Sequence, residues 1–565
     1  MESIEQVADR ATEHLWEGFA KAPFHLDAAS REWVAQTFEK LDDRAKAALV
    51  FCVFTFGPQV DLARLKGLQP GFITRMAGGS AAQERAQLAR LNGEFAVPVM
   101  FSTDLEGSST TPIEATPSPV PLAFSAANDP ALTQAAAAAM AREARAHGLG
   151  WSFTPALDLN VAFRSSITGT RSYGSDLEKV RDHALATLKG LQSEGIGATA
   201  KHWPGEGYDP RDQHLVTTVN PLSFAQWEAS FGTLYRAAID AGVLAIMPAH
   251  IALPSYMREV EGVEGAAAFV PASLNAALNE NLLRGRLGFN GLLISDATAM
   301  AGISGILPRD ALVIDALNAG NDVILDAPDL ARDVDTILAA LADGRLPRAR
   351  LDAAVARQLA FKAALGAHRD STPEPRDPAA DRATILSVLE RAPTLVKTRD
   401  DLLPMTPARY KKICLVTRGK GFPPASTTRP LPLGLADLLR ARGFEVVEHA
   451  WGTPVDPEGC DLLLYAYAEE CLLTRGTITN DWGGMTGQFE QAMKRFWNDL
   501  PCVMVSFGWP YHLFEANRVH TYVNAYMAHP KMLEITLEAL MGQRAFEGVS
   551  PVDAFCGLDP AYFES

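Results

Sequence analysis

The 565 residues exceed what one hydrophobic core usually supports, so two or three domains are expected. Hydrophobic residues make up 47% and charged residues 21%, the balance of a globular chain and not of a disordered or fibrous one. A formal net charge of −16 argues against a nucleic-acid partner, which needs a basic face, and disfavours an anionic membrane surface.

Residues 1–40 read as a helical, peripheral extension. The first ten residues carry Glu2, Glu5, Asp9 and Arg10 and lack an apolar leader core, and no later stretch is long and apolar enough to span a bilayer. Cys52, Cys414, Cys460, Cys471, Cys502 and Cys556 form no CxxC pair, so neither a zinc ribbon nor a disulfide scaffold is expected. Together these features predict a cytoplasmic protein with no membrane partner.

From 41 to 367, short apolar runs alternate with segments of helical period. Strands are predicted at 49–55, 71–75, 97–103, 150–155, 196–201, 243–247, 291–295 and 322–325. Helices are predicted at 131–147, 176–194, 224–241, 272–287, 309–319 and 330–342. Gly148, Gly195 and Gly242 supply stop signals, and Asp176 and Ser223 supply N-caps. Eight strands alternating with helices point to an α/β fold, most economically a (β/α)8 TIM-type barrel; an open doubly wound sheet is the alternative. No GxGxxG fingerprint follows an early strand, which lowers the case for a dinucleotide cofactor. Pro, Asp and Glu enrich 368–382, so 368–400 reads as a linker that ends in a helix over 383–391. Residues 401–565 then read as a smaller α/β sandwich domain with strands at 412–417, 444–449, 462–466, 502–507 and 520–525.

In a barrel enzyme the chemistry sits on the loops after the strands. Four predicted strands end in charged residues: Thr103-Asp104-Leu105-Glu106-Gly107, Lys201-His202-Trp203-Pro204-Gly205-Glu206-Gly207, Pro248-Ala249-His250 and Ser295-Asp296. Asp296 suits a nucleophile held by a rigid strand end, and equally a helix cap. Asp212 and His214 suit a carboxylate–imidazole pair able to give and take a proton, but the residues alone favour two unrelated positions of a surface loop. Asp104, Arg171, Lys201 and His202 suit sugar hydroxyls, or else ion pairs at a barrel rim, with Arg171 a candidate bridge to Asp104. His202, Glu206, His214 and His250 have metal-binding chemistry but fit no metal-ligand spacing, so no metal is expected.

These segments, taken in order, are similar to those of glycoside hydrolase family 3. Lys201 to Gly207 followed by Asp212-Gln213-His214 resembles its KHFPGHG…DxH signature, in the form found in the β-N-acetylglucosaminidase branch. Asp104-Leu105-Glu106-Gly107 resembles DxEGG, Gly169-Thr170-Arg171-Ser172-Tyr173-Gly174 resembles GxRSFG, and Ile246-Met247-Pro248-Ala249-His250 resembles VMPAH. Pro271-Ala272-Ser273-Leu274 and Ser295-Asp296-Ala297-Thr298-Ala299-Met300 complete the set. The resemblance implies a retaining exo-β-glycosidase that removes a terminal sugar, foremost a β-N-acetylhexosamine, with Asp296 as nucleophile and His214 as acid/base beside Asp212. It places Asp104, Arg171, Lys201, His202 and Met300 on the substrate, a glycoside or oligosaccharide, and requires no cofactor. A β-glucosidase and a β-N-acetylglucosaminide phosphorylase remain as alternatives, and a homodimer is compatible with the sequence. The tail resembles the family's second domain, so the 474–486 loop is a candidate substrate contact. Two departures, Ser108-Ser109-Thr110 in place of Gly-Arg-Val and Glu206 in place of a His, put the sugar in doubt; Glu206 reads as a rival acid or a carboxylate bracing its loop.

Overall fold

Parallel strands covered on both faces need apolar side chains at nearly every position, and such runs recur through the first two thirds of this chain. A computed structural model describes residues 16–60, 65, 67–76, 78–107, 110–369, 376–420, 434–471 and 473–564. Its strands in the first part are β1 (Phe51–Phe56), β2 (Phe72–Met76), β3 (Met100–Thr103), β4 (Leu149–Ser152), β5 (Thr199–Trp203), β6 (Thr218–Val219), β7 (Ala245–Pro248), β8 (Ile251–Ala252), β9 (Leu292–Leu293) and β10 (Ile324–Leu325). One parallel sheet runs β10-β1-β2-β3-β4 and a second runs β5-β7-β9. Isolated parallel bridges, Trp151–Gly197 and Ile294–Val323, join the two sheets at both edges. The chain is therefore an α/β fold, with each of the eight predicted strands present within a few residues. β9 and β10 keep only two residues each because pairing there thins to single bridges. The β6–β8 ribbon is too short to leave a period in the sequence.

Trp151, Phe72 and Phe361 meet under the first sheet, with ring centroids 4.5 and 4.8 Å from the indole. Lys362, fully buried beside them, donates to the carbonyls of Gly71 and Pro98 at 2.8 Å each. Its helix, Arg348–Ala364, and the helix Ala81–Glu94 are not among the predicted elements.

Helices Pro130–Ala146, Leu177–Ser193, Arg309–Asn318 and Leu330–Asp343 fall where the sequence places them. The Asp176 carboxylate accepts from the Lys179 N–H, and Ser223 forms a reciprocal cap with Gln226. Gly148, Gly195 and Gly242 take φ of 79°, 78° and 79°, the left-handed helix end that a Cβ disfavours. Two expectations change. The 224–241 helix is underwound to i+5 bonding at Glu228–Gly232, and 272–287 is a short turn followed by an i+5 helix at Ala277–Arg286. Apolar spacing does not separate these windings from an ordinary α-helix.

The predicted linker is largely ordered. Asp377 caps a helix, Pro378–Arg391, that begins before 383 because the proline sits in its first turn. Next comes β11 (Thr394–Lys397), then β12 (Lys412–Lys420), β13 (Glu445–Glu448), β14 (Leu462–Glu469), β15 (Cys502–Ser506) and β16 (Thr521–Asn524). They form one sheet in the order β11-β16-β15-β14-β12-β13, antiparallel only at β11–β16. Alternation divides its faces: Ile413, Leu415, Leu462 and Leu464 enter one core, while Cys414, Val416, Leu463 and Tyr465 enter another. Residues 1–15 of the predicted N-terminal extension and 370–375 of the linker lie outside the described residues. Of the rest of that extension, Ala28–Glu39 is helical and Phe19 and Val34 are fully buried. No helix among the described residues is long and apolar enough to cross a membrane.

The part built on the six-stranded sheet meets the first part above the latter's strand ends. The Trp509 indole N–H donates to Phe163 O at 3.1 Å, Tyr511 OH to Asn160 O at 3.3 Å, and Ser166 OH to Gly476 O at 2.9 Å.

Candidate active site

Parallel strands end together, so the loops after β1, β3, β4, β5, β9 and β10 share one mouth. There a cavity of about 460 Å³ opens, within the ~300–1,000 Å³ span usual for small-ligand sites. Asp104, Arg171, Lys201, His202, His214, Asp296 and Met300 all line it. Of the expected site residues only Asp212 stands behind the wall, its side chain fully buried.

Asp296 follows β9. Its Oδ1 accepts the Ala297 N–H at 2.7 Å, while Oδ2 has no hydrogen-bond partner. Burial works against its ionisation, but His202, His250, His214 and the Ala297 N–H together hold the carboxyl below the usual range. The backbone is fixed from below: His250, buried, takes Ser273 Oγ at 2.9 Å on one ring nitrogen and Ala297 O at 3.0 Å on the other. Burial keeps His250 below the ordinary imidazole range.

The Asp212–His214 pair is made. The imidazole Nδ1 lies 2.7 Å from Asp212 Oδ1, which also accepts the His214 backbone N–H at 2.9 Å. The other oxygen, Oδ2, accepts the N–H of Thr474 at 2.8 Å, a residue with φ 64° from the second part of the chain. Burial raises the Asp212 carboxyl, and the His214 contacts more than reverse this. With Nδ1 engaged, Nε2 is the nitrogen left for chemistry.

The charged residues on the β3–β5 side form one network. Lys201, 1% exposed, reaches Asp104 at 2.6 Å and also Glu106. Arg171 pairs with Glu106 at 2.8 Å, so the expected bridge from Arg171 to Asp104 is replaced by one to the nearer carboxylate two residues on. Burial opposes ionisation of Glu106, but Arg171 and Lys201 bring it down to about 2. Burial would discharge Lys201, and Asp104 and Glu106 outweigh that, holding it above its usual value.

His202 is oriented by a residue that sequence reasoning missed. Asp158, on the loop after β4, takes His202 Nδ1 at 2.6 Å on Oδ2, and the N–H groups of His202 and Glu206 at 3.0 Å each on Oδ1. The signal was available, since Asp158 follows an apolar strand much as Asp104 does; Glu106, two residues past Asp104, was equally visible. Asp158, His202 and Glu206 are close enough to suggest a metal cluster, but N–H donors already occupy both Asp158 oxygens. The fourfold set His202, Glu206, His214 and His250 does not converge, because His250 is spent on Ser273 and Ala297 and His214 on Asp212.

Glu206 lies beneath the wall, 3% exposed, and does not line the cavity. Its Oε2 accepts the Gln213 amide at 3.2 Å, and Gln213 Oε1 in turn accepts the His250 N–H at 3.0 Å. Glu206 thus braces the loop that carries Asp212 and His214. Burial, with Asp158 nearby, pushes its carboxyl well above the usual range. Ser108 and Ser109, the other departure, lie outside the described residues. From the second part, Glu470, Cys471 and Leu473 line the cavity, just ahead of the expected 474–486 loop, whose Thr474 touches Asp212 and not the cavity.

Residues 68–360 match the glycosyl hydrolase family 3 N-terminal domain. The chain is 36% identical over 557 residues to a β-N-acetylglucosaminidase/β-glucosidase of Cellulomonas fimi, across 95% of this chain and 98% of that one. A β-hexosaminidase of Methylobacillus flagellatus is 36% identical over 199 residues, 34% of this chain and 53% of the relative. Among solved structures, a β-glucoside phosphorylase bound to 2FGlc superposes with a TM-score of 0.88 at 30% identity, covering 96% of this chain and 99% of the other. The matched domain, the near full-length relative and the motifs that surround the cavity make this chain a member of glycosyl hydrolase family 3.

Proposed function

We propose that this glycoside hydrolase is a retaining exo-β-glycosidase that removes a terminal β-N-acetylhexosamine. Asp296 attacks the anomeric carbon while His214 protonates the leaving oxygen; His214 then takes a proton from the water that releases the sugar. Asp212 fixes the imidazole tautomer and stabilises its protonated form. Asp104, Arg171, Lys201, His202 and Met300 hold the terminal sugar. The observation that carries this reading is that Asp296 Oδ2 is unpartnered on the same cavity as His214. A carboxylate oxygen left without a donor in a buried wall is poised for a ligand atom and not for a structural bond.

The two bridged parallel sheets support a closed (β/α)8 barrel for residues 41–367, and the six-stranded sheet β11–β16 an α/β sandwich for 401–565. The Cellulomonas relative's name supports an N-acetylated sugar with glucose as the competitor. Six free cysteines support a reducing compartment, the cytoplasm.

A 2-deoxy-2-fluoro glycosyl fluoride tests the nucleophile. The expected result is a stable mass increase on the peptide that bears Asp296; labelling elsewhere, or release of inverted product, refutes the assignment. Phosphorolysis is the second reading, favoured by the likeness to the β-glucoside phosphorylase and by an imidazole acid/base, which when neutral does not repel an incoming phosphate. Accumulation of a sugar 1-phosphate when phosphate is added decides between water and phosphate as acceptor.

A further inference from the structure

The Thr474 N–H that holds Asp212 belongs to a residue with φ 64°. A β-branched side chain disfavours that conformation, and it persists only where the surroundings enforce it. The surroundings here are ionic. Arg475 follows Thr474, and its side chain is buried. Its Nη1 donates to Glu470 O at 2.9 Å and so closes the turn that contains Thr474. Its Nη2 donates to Oε2 of Glu469, the last residue of β14.

Glu469 is fully buried and does not line the cavity. Its Oε1 takes Arg418 of β12, through Nε at 2.8 Å and Nη2 at 2.7 Å. Arg418 reaches the far end of the same loop, where its Nη1 donates to Thr479 O at 2.9 Å. The next residue, Asn480, is fully buried and gives its N–H to Glu515 at 2.7 Å. β12 and β14 are parallel neighbours, so one carboxylate ties two strands of the second part to both arms of a loop that reaches the first. Charged forks of this kind fix direction as well as distance, which apolar packing does not. Among the described residues, Thr474 is the one donor to the Asp212 carboxylate from outside the pair; the other two N–H groups belong to His214 itself.

Resting on the acid/base reading of His214 above, we propose that Glu469, clamped between Arg418 and Arg475, is a positioning residue for proton transfer: it fixes the turn whose Thr474 N–H holds Asp212, and so the aim of His214. Without the Glu469 charge, two buried guanidinium groups lose the anion between them. The turn is then free to leave its left-handed conformation, and Asp212 loses its one anchor outside the pair.

An alkyl and a dinitrophenyl β-glycoside of one terminal sugar test this on the full-length enzyme, because the first leaving group needs the proton and the second does not. Glu469→Gln keeps the side chain's shape and removes its charge. It is expected to lower kcat/KM for the alkyl glycoside about tenfold or more and to leave the dinitrophenyl value within about twofold. Arg475→Met frees the turn but keeps the Arg418–Glu469 pair, so it reads the same selective loss even where Glu469→Gln does not fold. Arg475→Lys, which can still pair with Glu469, is expected to recover part of that loss. A merely structural role reduces the active fraction and lowers both glycosides equally. Equal losses on the two glycosides, or no loss in Arg475→Met, overturn the proposal. His214→Ala is read separately: an equal loss on both glycosides sinks the acid/base reading, while a selective loss there beside equal losses in the Glu469 and Arg475 variants sinks only the positioning role.

Discussion

Asp212→Asn is the sharpest test of the proposed acid/base pair. Three N–H groups converge on the two Asp212 oxygens: His214 Nδ1 at 2.7 Å, His214 N at 2.9 Å and Thr474 N at 2.8 Å. Asparagine offers one acceptor oxygen, so however the amide turns, its NH2 faces a donor. If the oxygen faces Thr474, the amide donates to Nδ1 and the proton moves to Nε2, which removes the base. If it faces His214, the tautomer survives but the charge is gone. A hydrogen bond to a charged partner contributes about 1.5–3 kcal/mol, and at ~1.36 kcal/mol per tenfold this is a loss of roughly 10–150-fold in kcat. The side chain is fully buried, so solvent does not screen the loss. The assay is steady-state kinetics of an alkyl glycoside from about pH 5 to 9, with circular dichroism to confirm folding. A folded variant within twofold of wild type at every pH refutes the pairing as a catalytic device.

Asp296→Asn should abolish nearly all turnover and all fluorosugar labelling while the far-ultraviolet spectrum stays native. His214→Ala should cost about 10²–10⁴ in kcat/KM for an alkyl glycoside and far less for a dinitrophenyl glycoside, whose leaving group needs no proton; an equal loss on both would assign His214 to binding. Lys201→Ala leaves Glu106 and Asp104 in a buried wall with Arg171 alone, so urea unfolding should show a loss of about 3–5 kcal/mol, the range for a broken buried ion pair. Glu206→Gln tests the buried proton. A folded-state carboxyl raised above its unfolded value of about 4.3 gives stability that is complete below that pH and is lost as pH rises toward the folded value. The melting temperature of Glu206→Gln minus that of wild type should therefore grow between about pH 5 and 8; a constant difference would mean that Glu206 is ionised in the fold.

Strand positions and the charged residues at their ends were legible because parallel strands buried on both faces leave continuous apolar runs, and the first polar residue after each run marks the mouth. Asp296 and Lys201 were found that way, whereas His214, on a loop thirteen residues past Lys201, was reached only through the family resemblance. What escaped were residues defined by distance across the fold. Asp158 reaches His202 over 44 positions, and the Thr474 N–H reaches Asp212 over 262. The second of these is a backbone group, and no residue type announces a backbone donor. The Arg171 partner was misread because Asp104 and Glu106 both point from one loop, and only coordinates choose between them. The i+5 windings at Glu228–Gly232 and Ala277–Arg286 were invisible for another reason: they change the pitch of a helix without changing which residues are apolar.

The proposed site needs two carboxylates because they have different tasks. In the proposed double displacement Asp296 carries its charge in the free enzyme and loses it while bonded to the sugar, so it cannot orient the acid/base through both steps. Asp212 takes no part in that bond, and its charge persists. Its fully buried side chain accepts from the ring Nδ1 and the backbone N–H of His214 on one oxygen and from the Thr474 N–H, in the second part of the chain, on the other. The imidazole therefore keeps one orientation while the charge across the cavity comes and goes.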